Sequence, residues 1–127
     1  MAFRLVTMGG LDIGSPAGVA FRGSGVIKPG SVVDFSRTGA AGVTPASSSS
    51  TFTTIFGVAQ EYGQGASDRE FLVVPIVGGQ LWEADCVNAI TTAQIGIRQA
   101  LNDHLLVRND ATDTTGATGV FRVLKIV

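Results

Sequence analysis

Histidine, cysteine, tryptophan and tyrosine occur once each, as His104, Cys86, Trp82 and Tyr62. A single cysteine excludes an internal disulfide, and one histidine beside one cysteine leaves no basis for a zinc cluster. The chain therefore does not need an oxidising compartment to fold. Glutamate occurs only three times and lysine twice, which excludes a heptad coiled coil. Charged residues make up 15% of the chain and the formal net charge is −1. A nucleic-acid-binding surface needs a basic excess to displace counterions, so no nucleic-acid partner is expected. With 45% hydrophobic residues the chain is not a disordered polyelectrolyte either. Long apolar runs are missing too. The longest charge-free stretch, residues 38–60, contains Pro45 and a run of serines from Ser47 to Ser50, so it reads as loop and strand, and no membrane partner is expected. Arg4 and Asp12 interrupt the first residues before the core of a signal peptide can form.

What is abundant is small. Glycine, alanine, threonine and serine together account for 52 of 127 residues. A helical bundle tolerates few glycines, because each costs about 1 kcal/mol against alanine in a helix interior. Valine, with 15 copies, outnumbers leucine, with 8. Short strands joined by many turns follow from that balance. The length fits one domain with a modest core. The expected fold is all-β: a small antiparallel β-barrel or β-tulip-like sandwich with an extended N-terminal arm and at most one short helical turn. Residues 1–13 are expected as an arm or edge strand, and residues 14–127 as a single β domain. Charge is uneven along the chain: residues 1–60 carry a net +2, residues 61–113 a net −5 and the remainder +2.

Along the chain, Ala20-Phe21-Arg22 reads as a short strand. Val26-Ile27 leads into a turn at Lys28-Pro29-Gly30, with proline pre-set for the corner and glycine free to take positive φ. Residues 31–36 form the next strand. Residues 38–51 are small and polar and read as an exposed loop. Residues 52–62 suit a strand in which Gly57 marks a bulge or a close backbone approach. After a turn at 63–69, residues 70–77 form an apolar strand whose Pro75 requires an edge or a bulge, and residues 80–87 form another. Thr91 and Gln94 have capping-box spacing for one helical turn, which Gly96 ends. Residues 105–108 are a short strand, residues 109–119 a second polar loop, and residues 120–127 a closing strand.

Catalytic patterns are weak. Cys86 and His104 are a conceivable nucleophile and base, but Asp85 beside the thiol would raise its pKa, so a small buried cysteine is the better reading. Glu83 and Asp85 alternate on one strand and read as its wet face rather than an acid–base pair. Asn109, Asp110 and Asp113 resemble part of a calcium loop without its glycine and glutamate spacing. Gly23-Ser24-Gly25 lacks the rest of a phosphate loop. No catalytic residue, cofactor or metal is expected. Trp82 either caps the core or anchors a subunit interface, where tryptophan is enriched among hot spots.

The order of short motifs from residue 55 onward resembles a known family. Gly57-Val58-Ala59 is followed by Phe71-Leu72-Val73-Val74-Pro75, then by Gln80-Leu81-Trp82-Glu83-Ala84-Asp85 and Thr92-Ala93-Gln94-Ile95-Gly96. Gly119-Val120-Phe121-Arg122-Val123-Leu124 completes the series. This series is similar to the capsid decoration, or cement, proteins of tailed bacteriophages. The first 54 residues agree only through a Pro-Gly-x-Val-Val segment at Pro29 to Val33. The resemblance implies a non-enzymatic structural virion protein on the capsid exterior, made in the host cytoplasm. It implies the major capsid protein as partner and a homo-oligomer, with a trimer favoured. Phe3, Arg4, Leu5 and Trp82 are the expected capsid or subunit interface: Phe3 to Thr7 could add as a strand to a neighbour, with Arg4 facing a carboxylate. The alternative is a ligand- or receptor-binding β-barrel module of a phage fibre or head appendage, with Trp82 and Tyr62 as stacking platforms. An exposed aromatic pair in one groove would favour that alternative.

Overall fold

The computed structural model describes residues 3–8, 11–12, 19–23, 25–35, 42–63, 70–77, 80–109 and 113–127. The chain is all-β, with curled, mostly antiparallel sheets that form half-barrels. The largest sheet has five strands: β3 (Val19–Arg22), β4 (Val32–Phe35), β5 (Val43–Pro45), β6 (Ile55–Ala59) and β7 (Glu70–Pro75), in the order β3-β7-β6-β4-β5. A second sheet holds β9 (Asp85–Cys86), β10 (Arg98–Leu101), β11 (Leu106–Arg108) and β12 (Phe121–Arg122), in the order β12-β10-β11-β9. A third has β1 (Arg4–Met8) between β2 (Leu11–Asp12) and β8 (Gln80–Glu83). The pairing of β9 with β11 is parallel, a departure from an all-antiparallel arrangement.

Local chemistry explains several of these elements. Gly30 takes φ +85° and Ser31 N–H donates to the Lys28 carbonyl at 2.9 Å, so the Pro29-Gly30 corner forms as its residues require. The turn delivers β4, whose neighbours Val32 and Val33 are both fully buried. Successive strand residues point to opposite faces, so the five-stranded sheet is covered on both sides. One apolar cluster joins Val32 and Val58 to Phe3, Leu101 and Val107 and so draws on all three sheets. The other joins Val33 and Ala59 to Ile27, Val43, Phe71 and Val73. Gly57 fits its expectation twice. The β4–β6 register shifts beside it, and a Cβ built there would sit 2.4 Å from the Val74 carbonyl oxygen.

A single 3-10 turn spans Thr92–Gln94, and Thr91 N–H donates to Gln94 Oε1 at 2.9 Å. Gly96, just past it, takes φ +85°. Pro75 closes β7, pairing with Gly57 of β6 beyond the last residue paired to β3.

Several expectations need revision. The segment 1–13 supplies the middle strand of a sheet, because the return through β2 covers one edge of β1 and β8 covers the other. Phe3 lies in the core, 5% exposed, with its ring centroid 5.0 Å from that of Phe121. Residues 42–51 are not an open loop. Val43 and Ala46 are buried, and Ser50 reaches back to donate to the carboxylate of Asp34. The part of that stretch at 38–41 lies outside the described residues, as do residues 64–69 of the expected turn. The expected strand 80–87 divides at Ala84 into β8 and β9, which belong to different sheets. The expected closing strand shrinks to Phe121–Arg122. Beyond it Val123 N–H still donates to the Ile97 carbonyl at 3.1 Å, whereas residues 124–127 join no strand.

Candidate functional site

The β1–β8 pair brings the four expected interface residues together. Leu5 lies opposite Trp82 and Arg4 opposite Glu83. The Arg4 guanidinium bonds the Glu83 carboxylate at 2.7 Å on the open side of the sheet. Phe3 is the exception among the four, since its ring fills the core. Trp82 is half-buried and packs on that same core. Its indole N–H donates to Gln80 Oε1 at 3.2 Å. Gln80 also accepts from Val77 N–H at 2.8 Å and donates to the Pro75 carbonyl at 3.0 Å. Gln80 thus ties the end of β7 to β8 and holds the indole. It is a positioning residue that the sequence reading missed, although its i, i+2 spacing from Trp82 placed both on one strand face.

Beside this pair runs an open groove of about 840 Å³. One wall is formed by consecutive residues from Gln80 to Cys86, the other by consecutive residues from Val120 to Val127, and Phe3, Val6 and Ile76 contribute to the floor and rim. The lip is apolar and wet: Val77 is 54% exposed, Leu81 41%, Leu124 58% and Val127 94%. Four separate exposed aliphatic side chains would be ordinary, but four around one groove make a patch of the kind that marks interaction surfaces. Glu83 and Asp85 lie on the first wall, Arg122 and Lys125 on the second. Tyr62, 47% exposed, is not among the lining residues, so the groove does not pair two aromatic platforms.

The other candidates resolve into structural roles. Glu83 and Asp85 do not share a strand face, because the break at Ala84 sends them to different sheets, and Arg4 holds Glu83. Burial, and then the Asp85 carboxylate beside it, push the Cys86 thiol above its usual range. That is the reverse of what a nucleophile needs. No hydrogen bond joins Cys86 to His104 among the described residues. His104 Nδ1 instead meets Ser31 Oγ at 2.9 Å. Ser31 is fully buried and its hydroxyl also accepts from Lys28 N–H at 3.0 Å, so the serine–histidine contact braces the start of β4. Asn109, read as part of a calcium-loop fragment, is 3% exposed and committed to Asn88: Oδ1 accepts its N–H at 2.9 Å and Nδ2 donates to its carbonyl at 3.0 Å. Asp113 accepts from Arg98 N–H and lies 3.9 Å from its guanidinium, while Asp110 lies outside the described residues. Among the described residues no group of three or more histidine, cysteine, aspartate or glutamate side chains could hold a metal. No helix among them is long and apolar enough to cross a membrane.

The fold and this surface define an all-β chain with an open, largely apolar groove beside β8. Comparison with protein-family models, with curated proteins and with solved structures gives no match.

Proposed function

We propose that this chain is a structural virion protein that decorates and stabilises the outside of a phage capsid by bridging neighbouring capsomers. The observation that carries the reading is the exposed apolar lip of Val77, Leu81, Leu124 and Val127 around a groove beside β8, whose second edge no strand among the described residues occupies. The ordered motifs of residues 55–124 add the resemblance to cement proteins. Such a surface suits lateral contact with another protein: apolar side chains give area, and free strand edges offer main-chain hydrogen bonds. A decoration protein gains its hold by repetition, since many modest contacts on a symmetric shell combine through avidity. The major capsid protein is the proposed partner, a homotrimer the favoured state and the capsid exterior the working location. Arg4, Leu5 and Trp82 flank the contact surface in this reading, while Phe3 supports it from the core.

The test is sedimentation with expanded, undecorated capsids of a tailed bacteriophage. Co-sedimentation that saturates at a fixed ratio of chain to capsomer is expected at about micromolar concentration. Absence of binding there overturns the proposal.

A further inference from the structure

β10 and β12 set two arginines directly opposite each other. Arg98 faces Arg122 in the register of this antiparallel pair, and the next pair along is Gln99 with Phe121. Cross-strand partners project from one face of a sheet, and neighbouring pairs from opposite faces. Gln99 is fully buried and Phe121 packs on the core, so both arginines stand on the side turned away from that core. The backbone of Arg98 is committed away from β12. Its N–H donates to the Asp113 carboxylate and its carbonyl accepts Thr114 N–H at 2.9 Å. Arg98 and Arg122 therefore form a narrow pair without mutual backbone bonds, the register in which opposite side chains come closest. Like charges in that position repel and destabilise a sheet.

The chain neutralises this pair only in part. Asp113 lies 3.9 Å from the Arg98 guanidinium, and its other oxygen is spent on the Arg98 N–H. Arg122 has no carboxylate partner among the described residues and donates one N–H to the Gly96 carbonyl. Arg122 is exposed, and the Arg98 side chain is 34% exposed. Each guanidinium carries a fork of N–H donors, so most donors of the pair face solvent or empty space. Arg108 lies opposite Ala100 and so shares this face. It is already engaged, but its charge adds to the positive potential.

We infer that this face of β10 and β12 is an oxyanion site, at which Arg98 and Arg122 together hold one carboxylate or phosphate group. Guanidinium forks donate paired, charge-assisted hydrogen bonds to both kinds of group. An anion between the two arginines also relieves their repulsion, which adds to its hold. Arg4 offers no such gain, because Glu83 already neutralises it. Two positive charges against Asp113 leave an excess of one, so the site suits a single small anionic group. A nucleic-acid strand would bring successive phosphates against Asp113, and the net charge of −1 opposes it further. The inference goes beyond the decoration reading, since the group is either a free solute or an acidic side chain of a partner. Its test uses the chain alone, so its failure leaves capsid co-sedimentation free to succeed, and the reverse.

The experiment is an NMR titration of the full chain with inorganic phosphate and, separately, with acetate, each against sodium chloride at matched ionic strength. The Nε–H signals of Arg98 and Arg122 are expected to shift saturably, with a Kd of about 1–10 mM for phosphate. Acetate binding within about tenfold of this supports a site that an acidic side chain fills, and phosphate binding alone supports a phosphate solute. Arg122→Gln and Arg98→Gln are each expected to weaken phosphate about tenfold, and Arg22→Gln, on another sheet, to leave it unchanged. A second readout is thermal unfolding. In dilute chloride Arg122→Gln is expected to melt no lower than the parent, because repulsion is relieved, and phosphate is expected to raise the parent above the variant. Circular dichroism checks that each variant is folded. A phosphate response no larger than that of chloride overturns the inference, as does one that neither arginine variant weakens. Oligonucleotide binding at these residues that is tighter than phosphate and falls steeply with salt overturns the assignment to a single small group.

Discussion

Replacing Phe3 by alanine separates two roles for the N-terminal strand. If the segment were an arm laid over a neighbour, the isolated chain would lose little on truncation of that side chain. The structure instead puts the ring at 5% exposure, against Phe121 and in the same cluster as Val32, Val58 and Leu101. Burying a phenylalanine side chain contributes roughly 1.5–3 kcal/mol by transfer alone. The cavity left by alanine adds to this, and measured Phe→Ala changes in cores cost about 3–5 kcal/mol. Phe3 N–H also donates to the Gly30 carbonyl at 3.1 Å, which ties the strand entry to the Pro29-Gly30 turn and limits collapse around the cavity. For a chain of this length a loss of that size lowers Tm by roughly 10–20 °C. Urea unfolding followed by Trp82 fluorescence is a suitable assay, because the indole packs on the same cluster. Arg4→Ala is the control. It removes an exposed ion pair worth about 0.2–1 kcal/mol and should shift the midpoint slightly. A Phe3→Ala loss below about 1 kcal/mol, alongside a normal core loss for Val32→Ala, would refute the placement of this strand.

Three further outcomes are expected. Gly57→Ala would set a methyl group 2.4 Å from the Val74 carbonyl oxygen, and strand backbone cannot yield as a flexible side chain can. A loss of about 3 kcal/mol or more, or failure to accumulate as soluble protein, is expected, and a midpoint within experimental error of the parent would count against the β6–β7 register. Desolvation by burial raises the pKa of Asp34 above its ordinary value, and hydrogen bonds from Ser50 and Thr54 only partly oppose this. A raised folded-state pKa means that the folded chain binds this proton more tightly than the unfolded chain. The contribution is fully present below the unfolded value near 3.8 and is lost as pH rises through the folded one. The stability of Asp34→Asn relative to the parent should therefore improve as pH rises from that range toward neutrality, and a difference that stays flat or falls would contradict it. Alkylation of Cys86 by a thiol reagent at neutral pH should run about tenfold slower in the folded chain than in urea, in keeping with its raised pKa, and equal rates would show an activated or fully open thiol.

Much of the fold was legible where local chemistry and tertiary packing agree. The Pro29-Gly30 corner, the capping-box spacing of Thr91 and Gln94, and the glycine inside β6 each carry their conformation in their own residue types. The misreadings have a common cause. Residues 42–51 look like a loop by composition, yet Val43 and Ala46 fill core positions and Ser50 finds Asp34 across the fold, a contact that sequence distance conceals. Asn109 sits in a polar stretch and is nevertheless buried, because Asn88 supplies the amide partners it needs. At the other extreme, residues 120–127 have the composition of a strong strand but only Phe121–Arg122 pair, since β10 offers edge for no more. Of the candidate surface, Arg4, Leu5 and Trp82 could be named from the sequence. Leu81 and Val77 could not, because their place in the groove depends on which edge of β8 stays without a partner.

That open edge of β8 bears directly on the surface the chain presents. Unpaired strand edges are a hazard that proteins blunt with charge, proline or cover. On β8 the Arg4–Glu83 pair at the end of the strand is such a device. Leu81 on the same strand, and Val77 just before it, stand exposed. An exposed apolar stretch beside an unoccupied strand edge is a surface that a partner could cover by adding a strand, so charge at one end alone does not blunt it fully.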